Sequence, residues 1–213
     1  MPGNPNASYI YNYPVKKFLL PLFACAASFL LSSCMTLSEN PLSPAETARP
    51  DSRLAGTWVG KNEDAPDDVF RFTQGKGAWM RLTITHPDKK EKLESYDLFP
   101  SIIGKRTFLN VRTSGKDERG RTVKGYYIVR YSISSSHVLT MWPLSSDAMA
   151  DAVREGKLKG IVHRNNDILD DSPHSDVDVT LQDSGANLSR FIQSHDSDDV
   201  FGDKMNPLKR VGD

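Results

Sequence analysis

Five histidines, two cysteines and one acidic run have the widest chemical repertoire in this 213-residue sequence, and their spacing limits what they can do. His86, His137, His163, His174 and His195 stand far apart. None forms the His-Glu-x-x-His or His-x-His pairs that bring two imidazoles to one metal ion. Asp170, Asp171, His174, Asp176 and Asp178 are the densest set of ligand types, but Pro173, the intervening serines and the absence of calcium-loop spacing make them a solvated polar loop. No Gly-x-Ser-x-Gly elbow and no phosphate-cradling Gly-Lys-Ser/Thr loop occurs. Serine, histidine and aspartate are present throughout, which does not define a triad. The sequence therefore assigns no catalytic residue, no cofactor and no metal site. Arg71, Arg81 and Arg130 each fall inside an alternating run, opposite its apolar side. Such arginines ordinarily lie over the outer surface, their stems covering neighbours. The sharper alternative sets them inside a partly polar barrel, as a site for an anionic or lipid-headgroup ligand.

The cysteines carry a more definite chemistry. Lys16 and Lys17 precede the uncharged, mostly apolar run Phe18 to Leu31, whose 14 residues are short for crossing the ~30 Å hydrocarbon layer as a helix and contain Pro21. Positive charge followed by a short apolar run is the pattern of a secretory signal peptide. It ends in Leu31-Ser32-Ser33-Cys34, which resembles the lipobox of bacterial lipoprotein precursors. That resemblance implies cleavage before Cys34, a thiol serving as nucleophile for a diacylglyceryl group, and further acylation by chains of the palmitate class. Cys25 leaves with the leader, so the mature chain has no internal disulfide. Two or three acyl chains, at ~0.8 kcal/mol per buried methylene, hold a protein durably on a membrane. Residues 1–33 are thus read as signal peptide. Met1 to Pro14 form a long uncharged lead, so Val15 reads as an alternative start. Met35 in place of Asp after the acylated cysteine points, by resemblance to enterobacterial sorting, to the outer membrane.

Loss of the two leader lysines leaves 25 basic against 27 acidic residues, a balance of −2 with no basic stripe, which excludes nucleic acid as the expected partner. Residues 34–50 include Thr36 to Pro50, rich in Pro, Ser, Thr and Glu, and read as a flexible tether that could hold the domain ~50 Å from the bilayer.

From residue 51 to 213 the pattern is that of a single antiparallel β domain. Phe70 and Phe72 flank Arg71; Met80, Leu82 and Ile84 alternate with polar residues; Tyr127, Val129, Tyr131 and Ile133 share one face. Val138 to Trp142 follows a serine turn at 134–136, and Thr107 to Arg112, Lys92 to Phe99 and Val177 to Leu181 supply further strands. Ser146 caps a predicted helix carrying Ala148, Met149, Ala152 and Val153 and ending at Gly156. Leu188, Phe191 and Ile192 mark a second helix near the C-terminus. The expected fold is mainly β with minor α: an antiparallel barrel with one inserted and one C-terminal helix. Gly56-Thr57-Trp58 at the first strand resembles the Gly-x-Trp signature of lipocalin-like (calycin) barrels, and the late helix resembles small bacterial lipoproteins. The lipocalin resemblance implies that Trp58 packs across a closed end and that a late basic residue, Lys209 or Arg210, stacks on it.

These features lead to a membrane-anchored cell-envelope lipoprotein, more readily a non-enzymatic binding module for a small apolar or amphipathic ligand than an enzyme. The competing expectations are a protein-interaction module, acting as inhibitor or assembly factor, and an unrecognised hydrolase of envelope material. Whether the barrel is hollow or filled by its own side chains separates the first from the others.

Overall fold

In the computed structural model, which describes residues 36–60, 67–87, 93–116, 122–164, 177–195 and 198–212, the alternating runs are strands that turn their apolar sides inward. Residues 1–33, read above as a signal peptide, lie outside the described residues with Cys34 and Met35, as do Asp170, Asp171, His174 and Asp176. In chain order the elements are β1 (Leu37–Ser38), β2 (Gly56–Gly60), β3 (Asp68–Gln74), β4 (Met80–Thr85), β5 (Leu93–Ile103), β6 (Arg106–Lys116), β7 (Thr122–Ile133), β8 (Val138–Pro143), α1 (Ser146–Arg154), β9 (Gly160–Arg164), β10 (Val177–Leu181), α2 (Gly185–Ser194), a 3₁₀ turn (Asp198–Val200) and β11 (Leu208–Val211).

Eight strands close into a ring in the order β2-β3-β4-β5-β6-β7-β8-β11 and back to β2, every neighbouring pair antiparallel. The protein is a mainly β, lipocalin-like barrel with two helices. Closure gives each barrel strand a neighbour on both sides. The turn at 75–79 sets the β3–β4 register, pairing Phe70 with Ile84 and Phe72 with Leu82 on the inner face. Trp58, Phe72, Met80, Leu82, Leu98, Leu109, Val129 and Tyr131 fill the interior. Burying each such side chain contributes on the order of 1.5–3 kcal/mol.

A second core lies outside the barrel. Phe108 and Ile128 point away from the interior and are buried with Leu144, Met149, Leu181, Leu188, Ile192 and Phe201. Strands β6 and β7 are consequently buried on both faces: Phe108 and Leu109, Ile128 and Val129 are adjacent in sequence and all buried. The covering layer is β1, β10 and β9 with the two helices. β7 serves two partners along one edge: Val129–Ile133 pair with β8, and Tyr126 and Tyr127 with β1. Beyond β1 the layer continues through β10, parallel to it, and β9, antiparallel to β10.

This layer corrects the reading of Thr36 to Pro50 as a tether. Thr36, Ser38 and Leu42 are buried, and β1 is inserted between β7 and β10. The Leu42 amide donates to Asn110 Oδ1 at 2.8 Å, Ser43 and Ser101 share a hydroxyl hydrogen bond at 2.6 Å, and the Glu39 amide donates to the Leu181 carbonyl at 2.9 Å. Two glycines admit the segment: a Cβ on Gly125 would lie 2.4 Å from the Ser38 carbonyl oxygen, and one on Gly185 2.0 Å from that of Pro41. The composition misled because the partners of this strap, residues 36–43, are backbone groups and distant polar side chains. Apolar content does not measure those.

Both helices start on serine caps. Ser145, one residue before the expected cap, accepts from the Ala148 amide, and Ser184 from that of Asn187. α1 ends as expected at Gly156, whose φ of 71° suits glycine. The second helix is followed by β11, the last barrel strand, so it is not the terminal element.

Candidate functional site: the open end of the barrel

The two ends of the ring differ. At one, the turn of residues 52–54 brings Leu54 under Trp58, whose indole N–H donates to the Leu54 carbonyl at 2.8 Å; both residues are fully buried. The Arg210 guanidinium lies 5.7 Å from the Trp58 ring centre and donates to the Ala55 carbonyl at 2.6 Å. Of the two basic residues considered, it is Arg210 that stacks. Gly56 has φ 129°, which requires glycine, and a Cβ there would press on Arg210 Nη2 at 3.0 Å. Tyr131 adds a hydroxyl bond to Asp51 at 2.9 Å. Burial and the Asp51 charge push the Tyr131 phenol up, while the Arg53 hydrogen bond foremost holds Asp51 below the usual carboxylate range. This end is plugged.

The other end, open among the described residues, is where β3, β5, β7 and β11 begin and β2, β4, β6 and β8 finish. Its hairpin connections include residues 61–66, 88–92 and 117–121, outside the described residues. Toward this end the interior keeps a cavity of about 30 Å³, lined by Phe70, Phe72, Leu82, Tyr96, Leu98, Leu109, Val111, Tyr127, Val129, Met141 and Met205. Every lining residue is apolar or aromatic. By comparison, a cavity that takes up benzene measures ~150 Å³. The barrel is therefore nearly filled, with room at rest for the tip of an alkyl chain. Met205 lies on the connection into β11, its amide donating to the Met141 carbonyl at 2.9 Å, and these two are the unbranched side chains best able to yield.

A polar cluster borders the same end. His86, buried, lies with Nδ1 2.7 Å from Asp68 Oδ1 and Nε2 3.9 Å from Glu94 Oε1. Tyr96, a cavity residue, donates its hydroxyl to Glu94 at 2.9 Å, and burial raises its phenol well above the usual range. Sequence reasoning passed over this cluster, although the β3–β4 register that pairs Val69 with Thr85 sets Asp68 opposite His86 at the next step. Among the described residues, no group of three or more His, Cys, Asp or Glu is arranged to hold a metal ion. His137 occupies a turn with φ 55°, His163 lies on β9, and His195 stacks on Phe191 at 4.2 Å.

The three arginines all point out of the barrel and do not converge. Arg71 is exposed opposite Thr57 and Thr83. Arg81, with 62 % of its side chain exposed, pairs with Asp97, which also binds Arg112. Burial works against the Asp97 charge, but the bonds from Arg81 and Arg112 prevail and hold its carboxyl low. Arg130 sits in the outer core between the Trp142 and Phe201 rings, 4.4 Å from each centre. A headgroup site inside the barrel is thereby overturned: the inner positions of these strands belong to Phe70, Phe72, Leu82 and Val129, and the period of two sends the arginines outward.

No known protein family, curated protein or solved structure matches this chain. Its chemistry has to be argued from the barrel itself. No helix among the described residues is long and apolar enough to cross a membrane.

Proposed function

We propose that the chain is a lipoprotein of the cell envelope, acylated on Cys34 and held on the outer membrane, whose barrel is a non-enzymatic binding module for a slender apolar or amphipathic ligand. The order of Lys16-Lys17, apolar run, small residues and cysteine supports the anchor. Met35 after the cysteine supports the choice of membrane. The observation that carries the binding reading is the cavity beneath the open end: eleven apolar and aromatic residues around unfilled space, with a polar edge at Glu94 and His86 where a headgroup would lie. At ~0.8 kcal/mol per buried methylene, a chain end that displaced Met205 and entered by four carbons would gain about 3 kcal/mol, a weak and reversible affinity.

The test is native mass spectrometry of protein purified without detergent, followed by titration with palmitate. Carried lipid, or saturable uptake abolished by Val111→Trp with the fold retained, supports the reading. A clean apo mass and no uptake overturn it. The near-filled interior favours a second reading, a module that works by its surface on an envelope protein. That outcome of the titration would select it.

A further inference from the structure

We infer that the barrel is seated flush against the bilayer on one flank, that of the start of β1 and the first turn of α1; this rests on acylation of Cys34. The strap sets the distance. Thr36 is buried, its hydroxyl donates to Ser146 Oγ at 3.4 Å, and Leu37 is paired on both edges, with Tyr127 and Thr180. Met35 alone separates this fixed point from Cys34. Two residues reach at most ~7 Å, where a free segment of fifteen would have reached ~50 Å. The strap is specified by Gly125, Gly185 and Asn110, so it is part of the fold and cannot serve as slack.

Register sets the flank. β1 is antiparallel to β7, and Thr36, from which Met35 and Cys34 are the next two residues back along the chain, stands beside β7 and against Ser146. Extending the register by one step sets Thr36 level with Ile128, near the middle of β7 (Thr122–Ile133), so that Thr122 lies ~20 Å away along the strand. The surface brought to the lipid is the flank at the start of β1 and the first turn of α1, around Ser146 and Asp147. The module would then act within its own height of the membrane.

The experiment uses the full lipidated protein in vesicles of phosphatidylethanolamine and phosphatidylglycerol that carry a headgroup nitroxide lipid. A fluorophore is attached at Asp147→Cys or Thr122→Cys, both exposed positions. Quenching is expected to be severalfold stronger at Asp147 than at Thr122. Inserting a Gly-Ser segment of about fifteen residues between Met35 and Thr36 should erase the difference while membrane binding persists. Equal quenching without the insertion, or stronger quenching at Thr122, overturns the orientation. Intact-mass analysis separates the two levels: an unacylated Cys34 overturns the lipoprotein reading and this inference with it, whereas an acylated protein with equal quenching overturns the orientation alone.

Discussion

Asn110→Ala tests whether the strap is structural. Asn110 is fully buried, accepts from the Leu42 amide at 2.8 Å, and donates to Ser101 Oγ at 2.7 Å and the Phe99 carbonyl at 3.1 Å. Truncation leaves the Leu42 N–H buried without an acceptor, at about 1–3 kcal/mol, and the Phe99 carbonyl and Ser101 hydroxyl each lose a partner at about 1 kcal/mol. A total of about 3–5 kcal/mol is a large part of the roughly 5–15 kcal/mol by which domains are stable. In urea, with a slope of ~2 kcal/mol per molar for a domain of this size, the midpoint should fall by about 1.5–2.5 M. Hydrogen exchange supplies the spatial control: amides of residues 37–42 should lose protection first, while those of Phe72 and Leu82 follow only the global change. A midpoint shift under about 0.5 M, or equal loss of protection in strap and barrel, would refute the assignment. Gly125→Ala should reproduce the pattern by steric means, its Cβ meeting the Ser38 carbonyl.

Arg210→Ala removes the cation over Trp58 and the bond to Ala55; it should cost about 2 kcal/mol and alter the near-ultraviolet dichroism of the buried indole. Arg81→Ala, by contrast, breaks an exposed pair and should change stability by less than about 1 kcal/mol in thermal unfolding. Burial opposes the charge of Asp183, but the Lys159 amide, Asn187 Nδ2 and the Ser184 amide outweigh it and hold the carboxyl below its ordinary range. A depressed carboxylate adds stability above its unfolded-state pKa and loses it as pH falls through the folded one. Asp183→Asn should therefore be less stable than the parent at pH 7, and denaturation curves should show the difference closing below about pH 4.

The barrel was legible because its inner face obeys a period of two over enough residues to be seen. Phe70, Phe72, Met80, Leu82, Ile84, Val129 and Tyr131 all line the interior as their spacing requires. Gly56 and Trp58 were legible for a different reason: the left-handed glycine and the arginine stacked on the indole form one local device. The flanking layer was less so. β9, Gly160-Ile-Val-His-Arg164, is short, and β1 has two residues in a Pro- and Ser-rich stretch, so neither shows a period. β6 and β7 concealed their second face, since Phe108-Leu109 and Ile128-Val129 read as continuous apolar runs. The site was half legible. The spacing marked its wall residues, but hollowness depends on how far Met141 and Met205 reach across, which no spacing encodes. His86 was hidden because its partner precedes it by 18 residues and meets it only through hairpin register.

The docked strap and the small cavity bear on each other through the strands they share. Leu98, Leu109, Val111, Tyr127 and Val129 form one wall of the cavity. Behind that wall stand Phe99, Phe108, Asn110 and Ile128, all buried, with the strap bound to Asn110. Displacing it outward would break a packed core at a cost of several kcal/mol, more than a few methylenes of ligand return. The opposite wall, Phe70 and Phe72 on β3 with Leu82 on β4, is backed by exposed Arg71, Thr73 and Arg81 and half-buried Val69 and Thr83, with no further layer over them among the described residues. Any widening of the cavity must therefore come from β3, β4 and the Met205 segment. The wall against which the strap is docked is the rigid one, and the yielding wall is the one that no described element covers.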